Sequence, residues 1–373
     1  MNTLTGRSDR RAGFPSVARL AVISTLAMLA ACERPPVDVV QGGYRGTGMV
    51  TLINPRMDAL QAPNNRVPPP LPAAPTAGPL AGSVYKNVQV LKDLNIAQFA
   101  RVMVAMTQWV APPDQSCGYC HSVANMASDQ RYTKVVARRM LQMVRHINSD
   151  WKSHVGATGV TCYTCHRGHV VPQQVWFESP GESAGGGMTA ANPDLYSPLA
   201  TIGGSSLPYD PFTPYLLHAM PIRVNSTGAL PDGNRSSIQQ TETTYALMMH
   251  MSTALGVNCD YCHNTRSTPI WSTSTPKRVT AWYGIRMARE LNVDYMTPLT
   301  ATFPTARRGV LGDVAKIDCA TCHQGIFKPL YGVSMAKDYP ELEGTMTPPA
   351  PAATPAASAG SAPSGASGGA TTR

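Results

Sequence analysis

The sequence predicts a mainly α-helical fold with extensive irregular loops, built as two similar halves. Three observations predict it. Four helix-like segments, the first two with apolar residues at helical spacing, each precede a short cysteine motif. The four motifs fall into two matching pairs, one pair per half. Between and beyond them, 33 prolines, 31 glycines and an aromatic content of only 7% leave little continuous chain for sheets. A chain of 373 residues holds two modest domains or one large one. The same composition excludes a coiled coil, a polytopic membrane protein and a strand-rich barrel.

The N-terminus reads as an export signal. Arg7, Arg10, Arg11 and Arg19 form a basic region, and the apolar run over residues 20–31 is too short to span a bilayer but suits a signal-peptide core. It ends Leu29-Ala30-Ala31-Cys32, which looks like a bacterial lipobox. Residues 1–31 are therefore expected to be a lipoprotein signal peptide. Cys32 becomes the lipidated N-terminus, with two or more acyl chains giving a stable anchor on the periplasmic face of the inner membrane. Ala12-Gly13 after the Arg10-Arg11 pair does not continue a twin-arginine pattern, which favours export of an unfolded chain.

Residues 32–90 read as an irregular segment, with Pro68-Pro69-Pro70 favouring extended chain. A first functional segment spans 91–177. Its helices are expected at 96–109, where Phe99, Val102, Met103, Met106 and Val110 keep helical spacing, and at 133–149, where Val136, Met140, Met143, Val144 and Ile147 do. Pro112-Pro113 stops the first. Residues 178–240, rich in Gly, Pro, Ser and Asn, read as a long connecting loop with room for short strands. The second functional segment, 241–345, should carry helices at 241–255, stopped by Gly256, and at 278–291. Residues 346–373 are a tail of Ala, Pro, Ser, Gly and Thr up to the last Arg, a composition that cannot bury a core and predicts disorder.

The eight cysteines after Cys32 form four copies of Cys-x-x-Cys-His: Cys117, Cys120 and His121; Cys162, Cys165 and His166; Cys259, Cys262 and His263; Cys319, Cys322 and His323. This is the attachment signature of c-type haem. Two thiols add to the two vinyl groups of one porphyrin, and the adjoining histidine is held against the iron as proximal ligand. Structural zinc would use two cysteine pairs per ion, with no need of a histidine after each. A thioredoxin-like redox pair would need one motif in a βαβ setting. A disulfide framework leaves the four histidines unexplained. Four covalent haems follow, and with them a haem-packed core in two pseudo-repeated dihaem halves.

The repeat is visible in the text. The first and third motifs read Cys-x-Tyr-Cys-His, and the second and fourth read Cys-x-Thr-Cys-His-x-Gly. Arg139-Met140 with Ile147-Asn148 is echoed by Arg286-Met287 with Leu291-Asn292. Charge does not point to nucleic acid. Loss of residues 1–31 lowers the formal charge from +9 to +6. Eight ionised propionates would bring it near −2, roughly.

A haem with both axial sites filled moves electrons, whereas one with an open site can bind and transform small molecules. Every helix before a motif offers methionines: Met103 and Met106, Met140 and Met143, Met248, Met249 and Met251, and Met287. A methionine in a helix is ordinarily core filler, but a haem packed on the helix turns it into a candidate ligand. The spare histidines are His146, His154, His169, His218 and His250. Spacing alone does not choose between neighbouring methionines, nor between Met287 and a histidine for the fourth haem.

The whole set resembles the tetrahaem cytochrome subunit of purple-bacterial photosynthetic reaction centres. The resemblance covers about residues 44–330. It is carried by Phe99-Ala-Arg-Val-Met103-Val-Ala-Met-Thr-Gln-Trp109, Val136-Ala-Arg-Arg-Met140-Leu, Gly159-Val-Thr-Cys-Tyr-Thr-Cys-His-Arg-Gly168, Leu247-Met-Met-His250 with Leu255-Gly-Val-Asn-Cys259, and Ala281-Trp-Tyr-Gly-Ile-Arg-Met287. It implies Met103, Met140 and Met248 as sixth ligands of the first, second and third haems, and His154 as that of the fourth. It also implies a spatial order of first, second, fourth, third, with the third nearest the photo-oxidised bacteriochlorophyll pair. The implied partners are the reaction-centre core and a soluble periplasmic cytochrome c or high-potential iron–sulfur protein. The implied role is electron transfer, not enzymatic catalysis. Two other functions share these residues: a carrier serving a respiratory complex, and a multihaem reductase with one open haem.

Overall fold

The structure, a computed structural model, describes residues 37–42, 49–179, 207–208, 210–225 and 236–344. The expected signal peptide, Cys32 and the 346–373 tail lie outside these residues. The segment expected to be irregular opens instead with an antiparallel pair, β1 (Asp38–Gln41) and β2 (Val50–Ile53), followed by α1 (Pro55–Gln61) and the single turn α2 (Ala81–Val84). The strands are mostly exposed, so alternation of apolar residues gave little signal there.

The long helices stand near the segments expected to be helical: α3 (Ile96–Val110), α4 (Tyr132–Asp150), α7 (Ile238–Leu255) and α8 (Lys277–Glu290). Between α4 and α7 lie two short helices, α5 (Lys152–Val155) and α6 (Cys162–His166), and α9 (Cys319–His323) follows α8. Asn95 starts α3 with a capping box. Its side chain accepts from the Ala97 and Gln98 amides at 3.0 and 2.9 Å, and Gln98 returns the bond to the Asn95 amide. Helix α7 stops at Gly256, which is left-handed at φ 62°, ψ 35°. A Cβ there would also lie 2.1 Å from the Gly325 carbonyl oxygen, so this glycine is required twice over. Beyond α8 the chain makes a π-helical turn, Leu291–Met296, which the periodicity did not foretell.

Two apolar clusters result. The larger joins α3 and α4 through Val102, Ala105, Trp109, Leu141, Val144 and Ile147 with Leu291 and Tyr295. Residues 329–342 close over it: Tyr339 stacks edge-on against Trp109 with ring centres 4.7 Å apart, and Asn148 donates to the Leu342 carbonyl at 3.0 Å. The smaller gathers Trp176, Phe212, Tyr215, Leu216, Leu247 and Ile285. Part of the expected connecting loop is thus core. Asp210 caps the turn Thr213–Leu217 by accepting from two amides at 3.0 Å, which drives Tyr215 and Leu216 inside. Burying each such side chain contributes roughly 1.5–3 kcal/mol, and the Tyr215 hydroxyl is satisfied by Thr244 at 2.6 Å. No strand occurs among the described residues of that segment.

Candidate haem-binding sites

The four Cys-x-x-Cys-His motifs adopt two local conformations. The first and third are single 3-10 turns, Ser116–Tyr119 and Cys259–Tyr261. In both, the histidine amide bonds the carbonyl of the first cysteine, at 3.0 Å for His121 and 2.9 Å for His263. A threonine hydroxyl farther on closes each turn at 2.6 Å: Thr133 on the Tyr119 carbonyl, Thr275 on the Tyr261 carbonyl. The second and fourth motifs are the single-turn helices α6 and α9, each opened by a capping box, Thr161 with Thr164 and Asp318 with Thr321. Each ends on a left-handed non-glycine residue, Arg167 (φ 52°) or Gln324 (φ 48°). An asparagine side chain braces each from upstream. Asn148 exchanges both bonds with the Val160 backbone at 2.7 and 2.9 Å, and Asn292 does so with Ile317 at 2.7 and 2.8 Å. These are the two asparagines echoed in the sequence.

The histidines carry the strongest fit to haem. Each motif imidazole turns Nδ1 onto a backbone carbonyl: His121 onto Met126 at 3.1 Å, His166 onto His169 at 2.9 Å, His263 onto Thr268 at 3.2 Å and His323 onto Ile326 at 3.1 Å. A carbonyl only accepts, so Nδ1 must carry the proton and the lone pair falls on Nε2. That is the tautomer a metal ligand needs, with ring orientation fixed by the second bond.

Among the spare histidines, His154 shows the same arrangement, with Nδ1 2.9 Å from the Thr280 carbonyl. Its ring faces that of His323 with centres 6.0 Å apart. Two imidazoles sharing one ion sit roughly 6 Å apart, given metal–nitrogen bonds of about 2 Å. Gly284 makes the room, since a Cβ there would lie 2.5 Å from His154 Cε1. His146 is different: both ring nitrogens face carboxylates, Asp150 and Glu290, which suits an ion pair and not a ligand. Burial lowers the pKa of His154, His166 and His263, and lowers that of His323 to about 4, with His154 beside it adding to the effect. All four therefore favour the neutral form that can ligate.

Met103, Met106, Met140 and Met287 lie half-buried along the larger cluster, and Met248 and Met251 along the smaller, whereas Met143 is packed inside the core. The eight motif cysteines fall into four pairs. Cys117 and Cys259 are exposed, while burial pushes the thiols of Cys162 and Cys319 up to about 12. Cys120 and Cys262 are half-buried, and burial raises their pKa too, the latter to about 11. Cys165 and Cys322 are joined as a disulfide, with Cα atoms 4.3 Å apart. One sulfur cannot be both disulfide and thioether, so haem attachment at the second and fourth motifs requires this bond to be open. What carries over is the direct abutment of those two motifs. Sequence reasoning missed Thr133, Thr275, Thr280, Gly284, Arg167 and Gln324. The threonine pair alone left a signal, each standing 14 positions after the Tyr of its motif.

Comparison with known proteins agrees with this chemistry. The family model described as "Photosynthetic reaction centre cytochrome C subunit" matches residues 33–343. The chain is 52% identical over 335 residues to the photosynthetic reaction center cytochrome c subunit of Rubrivivax gelatinosus, covering 90% of each chain. It is 49% identical to that of Thermochromatium tepidum, covering 87% of this chain and 80% of the relative. With that of Roseobacter denitrificans it shares 39% identity, over 89% of this chain and 92% of the relative. A cytochrome c subunit carries covalently bound c-type haem and transfers electrons. No helix among the described residues is long and apolar enough to cross a membrane. The chain belongs to the family of photosynthetic reaction centre cytochrome c subunits.

Proposed function

We propose that this chain is a four-haem electron carrier, not an enzyme. It would take electrons from a soluble periplasmic cytochrome c or high-potential iron–sulfur protein and deliver them to the photo-oxidised bacteriochlorophyll pair of the reaction-centre core. The observation that carries this reading is the set of five imidazoles, His121, His166, His263, His323 and His154, all holding Nδ1 on backbone carbonyls, with His154 and His323 facing one another. A bound c-type haem supplies a one-electron iron couple whose potential follows its ligands and surroundings.

The chain's own residues do the rest. Cys117 with Cys120, Cys162 with Cys165, Cys259 with Cys262, and Cys319 with Cys322 would fix four porphyrins as thioethers. His121 and Met103, His166 and Met140, and His263 and Met248 would hold three of the irons, and His323 and His154 the fourth. An iron held by two side chains would leave no place for a substrate, which separates a carrier from a reductase. Sulfur ligation raises a potential relative to two histidines.

The matched bracing of the first and third motifs by threonines, and of the second and fourth by asparagines, supports two pseudo-repeated dihaem halves, 91–177 and 241–345. The halves would meet where the second and fourth motifs abut. Orientation follows from the N-terminus. The Asn258 side chain, next to Cys259, bonds both the Leu52 amide at 3.3 Å and the Val50 carbonyl at 3.0 Å. β1, paired with that strand, begins at Asp38. A lipid on Cys32 can then be no more than about 20 Å of chain from the strand pair that holds the third motif. This supports a periplasmic, lipid-anchored placement with the third haem at the membrane end.

Flash-induced absorbance changes in native membranes test the reading. Rapid haem oxidation coupled to recovery of the bleached pair, abolished by deleting this chain, is the expected result. Four low-spin haems with no flash response would assign the chain to another membrane complex.

A further inference from the structure

The residue that follows each inner motif histidine crosses to the other motif. The Arg167 Nη2 donates to the Cys322 carbonyl at 3.2 Å, and the Gln324 Nε2 donates to the Cys165 carbonyl at 3.2 Å. Both residues hold the left-handed conformation that non-glycine residues seldom adopt. The exchange is reciprocal, but the charges are not. Arg167 brings a cation and Gln324 a neutral amide.

The Arg167 cation is unusual in its surroundings. Its Nη2 also donates to Asn65 Oδ1 at 3.2 Å, and its guanidinium lies 5.8 Å from the Tyr163 ring centre. Its Nε and Nη1 are sealed from solvent and meet no hydrogen-bond partner among the described residues. None of the ion pairs formed among those residues includes it. No side-chain carboxylate among the described residues pairs with this cation, and with Nε and Nη1 shielded from water its field is screened less than that of an exposed arginine.

We propose that Arg167 is a shared positioning residue for the second and fourth haems, whose charge at the junction of their motifs raises both reduction potentials together. The inference rests on the four-haem reading above. Oxidation adds a positive charge to each iron, and a fixed neighbouring cation opposes that. Because the guanidinium belongs to the second motif and bonds the fourth, it acts on both sites. A cation on only one side of the junction also makes the halves electrostatically unequal despite their matched folds.

The test is an equilibrium redox titration of the α-bands in the purified reaction-centre complex, with haem counted by pyridine haemochrome. The second and fourth components are assigned through Met140→His and His154→Met variants. In Arg167→Gln, the equilibrium constant for reducing each of those two haems should fall about tenfold, equal to about 59 mV for one electron. The first and third should stay in place. Arg167→Lys keeps the charge and should retain most of both potentials. Gln324→Lys adds a cation at the reciprocal position and should raise both.

Four haems with unshifted inner potentials in Arg167→Gln overturn the proposal. So does an equal shift of all four, or a fall in Arg167→Lys as large as in Arg167→Gln. Should Arg167→Gln fail to retain four haems, Gln324→Lys decides: an upward shift of both inner haems supports the proposal, and its absence overturns it. A parent complex with fewer than four haems overturns the four-haem reading instead.

Discussion

The rings of His154 and His323 face each other with centres 6.0 Å apart and planes inclined at 69°. They come from opposite halves of the chain. His154 sits in α5, just after α4, and His323 ends α9. Each holds Nδ1 on a backbone carbonyl, Thr280 for the first and Ile326 for the second. Each ring thus keeps its lone pair on Nε2, at a ring separation that one shared ion would require. This supports His154 over Met287 as the second ligand proposed for the fourth haem.

Replacing His154 tests that choice. His154→Ala should leave one high-spin haem that binds carbon monoxide, with the other three unchanged. His154→Met should keep a low-spin site and raise its potential, within the ~0.8 V range that axial ligands command. Met287→Leu should change neither spectrum nor potential of that haem. Carbon monoxide binding in Met287→Leu, and none in His154→Ala, would reverse the assignment.

Gly284 offers a gentler handle on the same imidazole. A Cβ at that position would lie 2.5 Å from Cε1 and 2.9 Å from Nδ1 of His154, so the imidazole must move. Gly284→Ala should perturb the low-spin electron paramagnetic resonance signal of the fourth haem and leave the other three as they are. Its helix should not suffer, since alanine is the better helix former. Four unchanged signals would mean that His154 is not held where the structure has it.

Much of this was legible in the sequence, and the rest was not, for physical reasons. The motif spacing announces thioether chemistry, because two thiols and a histidine must reach one porphyrin. Helices α3 and α4 announce themselves because their apolar residues recur at helical spacing. Asn148 and Asn292 were visible as an echo, but their bracing of Val160 and Ile317 is a tertiary fact. The turn at Phe212 to Leu217 was hidden inside a Gly- and Pro-rich stretch. Its burial depends on the cap from Asp210 and on the Trp176 side chain, which no local pattern records. The crossing of Arg167 and Gln324 depends on two segments meeting, and spacing is silent on that.

The first motif should respond to acid through Asp129. The Arg138 guanidinium bonds this carboxylate at 2.7 and 2.9 Å and holds its pKa well below the usual carboxylate range. Lys134 ties the same loop by donating to the Met126 carbonyl at 2.9 Å, the carbonyl on which His121 Nδ1 also rests. A depressed folded pKa stabilises fully above the unfolded value near 3.9. That contribution is lost as pH falls from about 4 through the folded value. Asp129→Asn should therefore weaken the first motif's hold on His121 at pH 7 and converge with the parent only as the pH falls through that depressed folded value, well below about pH 3. A variant equally weakened at every pH would point to lost packing instead of lost charge.

Gly256 should be among the least replaceable residues. Alanine there meets both a left-handed backbone and the Gly325 carbonyl, whose oxygen would be 2.1 Å away. The sum of backbone strain and overpacking is roughly 2–5 kcal/mol. Gly312→Ala is the control: φ is +80° but nothing lies within 4 Å of the added methyl, so strain acts alone. Denaturant midpoints of the two variants should separate by the cost of the Gly325 contact. Equal midpoints would show that the α7 terminus yields where the structure has it fixed.

A deeply buried ion pair joins Arg101 of α3 to Glu341, 3.1 Å apart with side chains 6% and 4% exposed. Arg101 also donates to the carbonyls of Leu71, Pro72 and Asp338 at 2.8 Å each, and its guanidinium stacks 4.0 Å from the Tyr339 ring centre. One guanidinium thus ties α3 to the segment before it and to the last described turn of the chain. Removing one partner of a buried pair costs about 3–5 kcal/mol because the other is left unpaired. The two partners should not be equal. Glu341→Gln leaves Arg101 with three carbonyls and should fall at or below the low end of that range. Arg101→Met strands those carbonyls as well as the carboxylate and should reach the high end. Because α3 also carries Met103, the sixth ligand proposed for the first haem, Arg101→Met should release that ligand at a lower denaturant concentration than the other three. A denaturation profile that separates the first haem in Arg101→Met, but not in Glu341→Gln, would establish the guanidinium as the anchor of that helix.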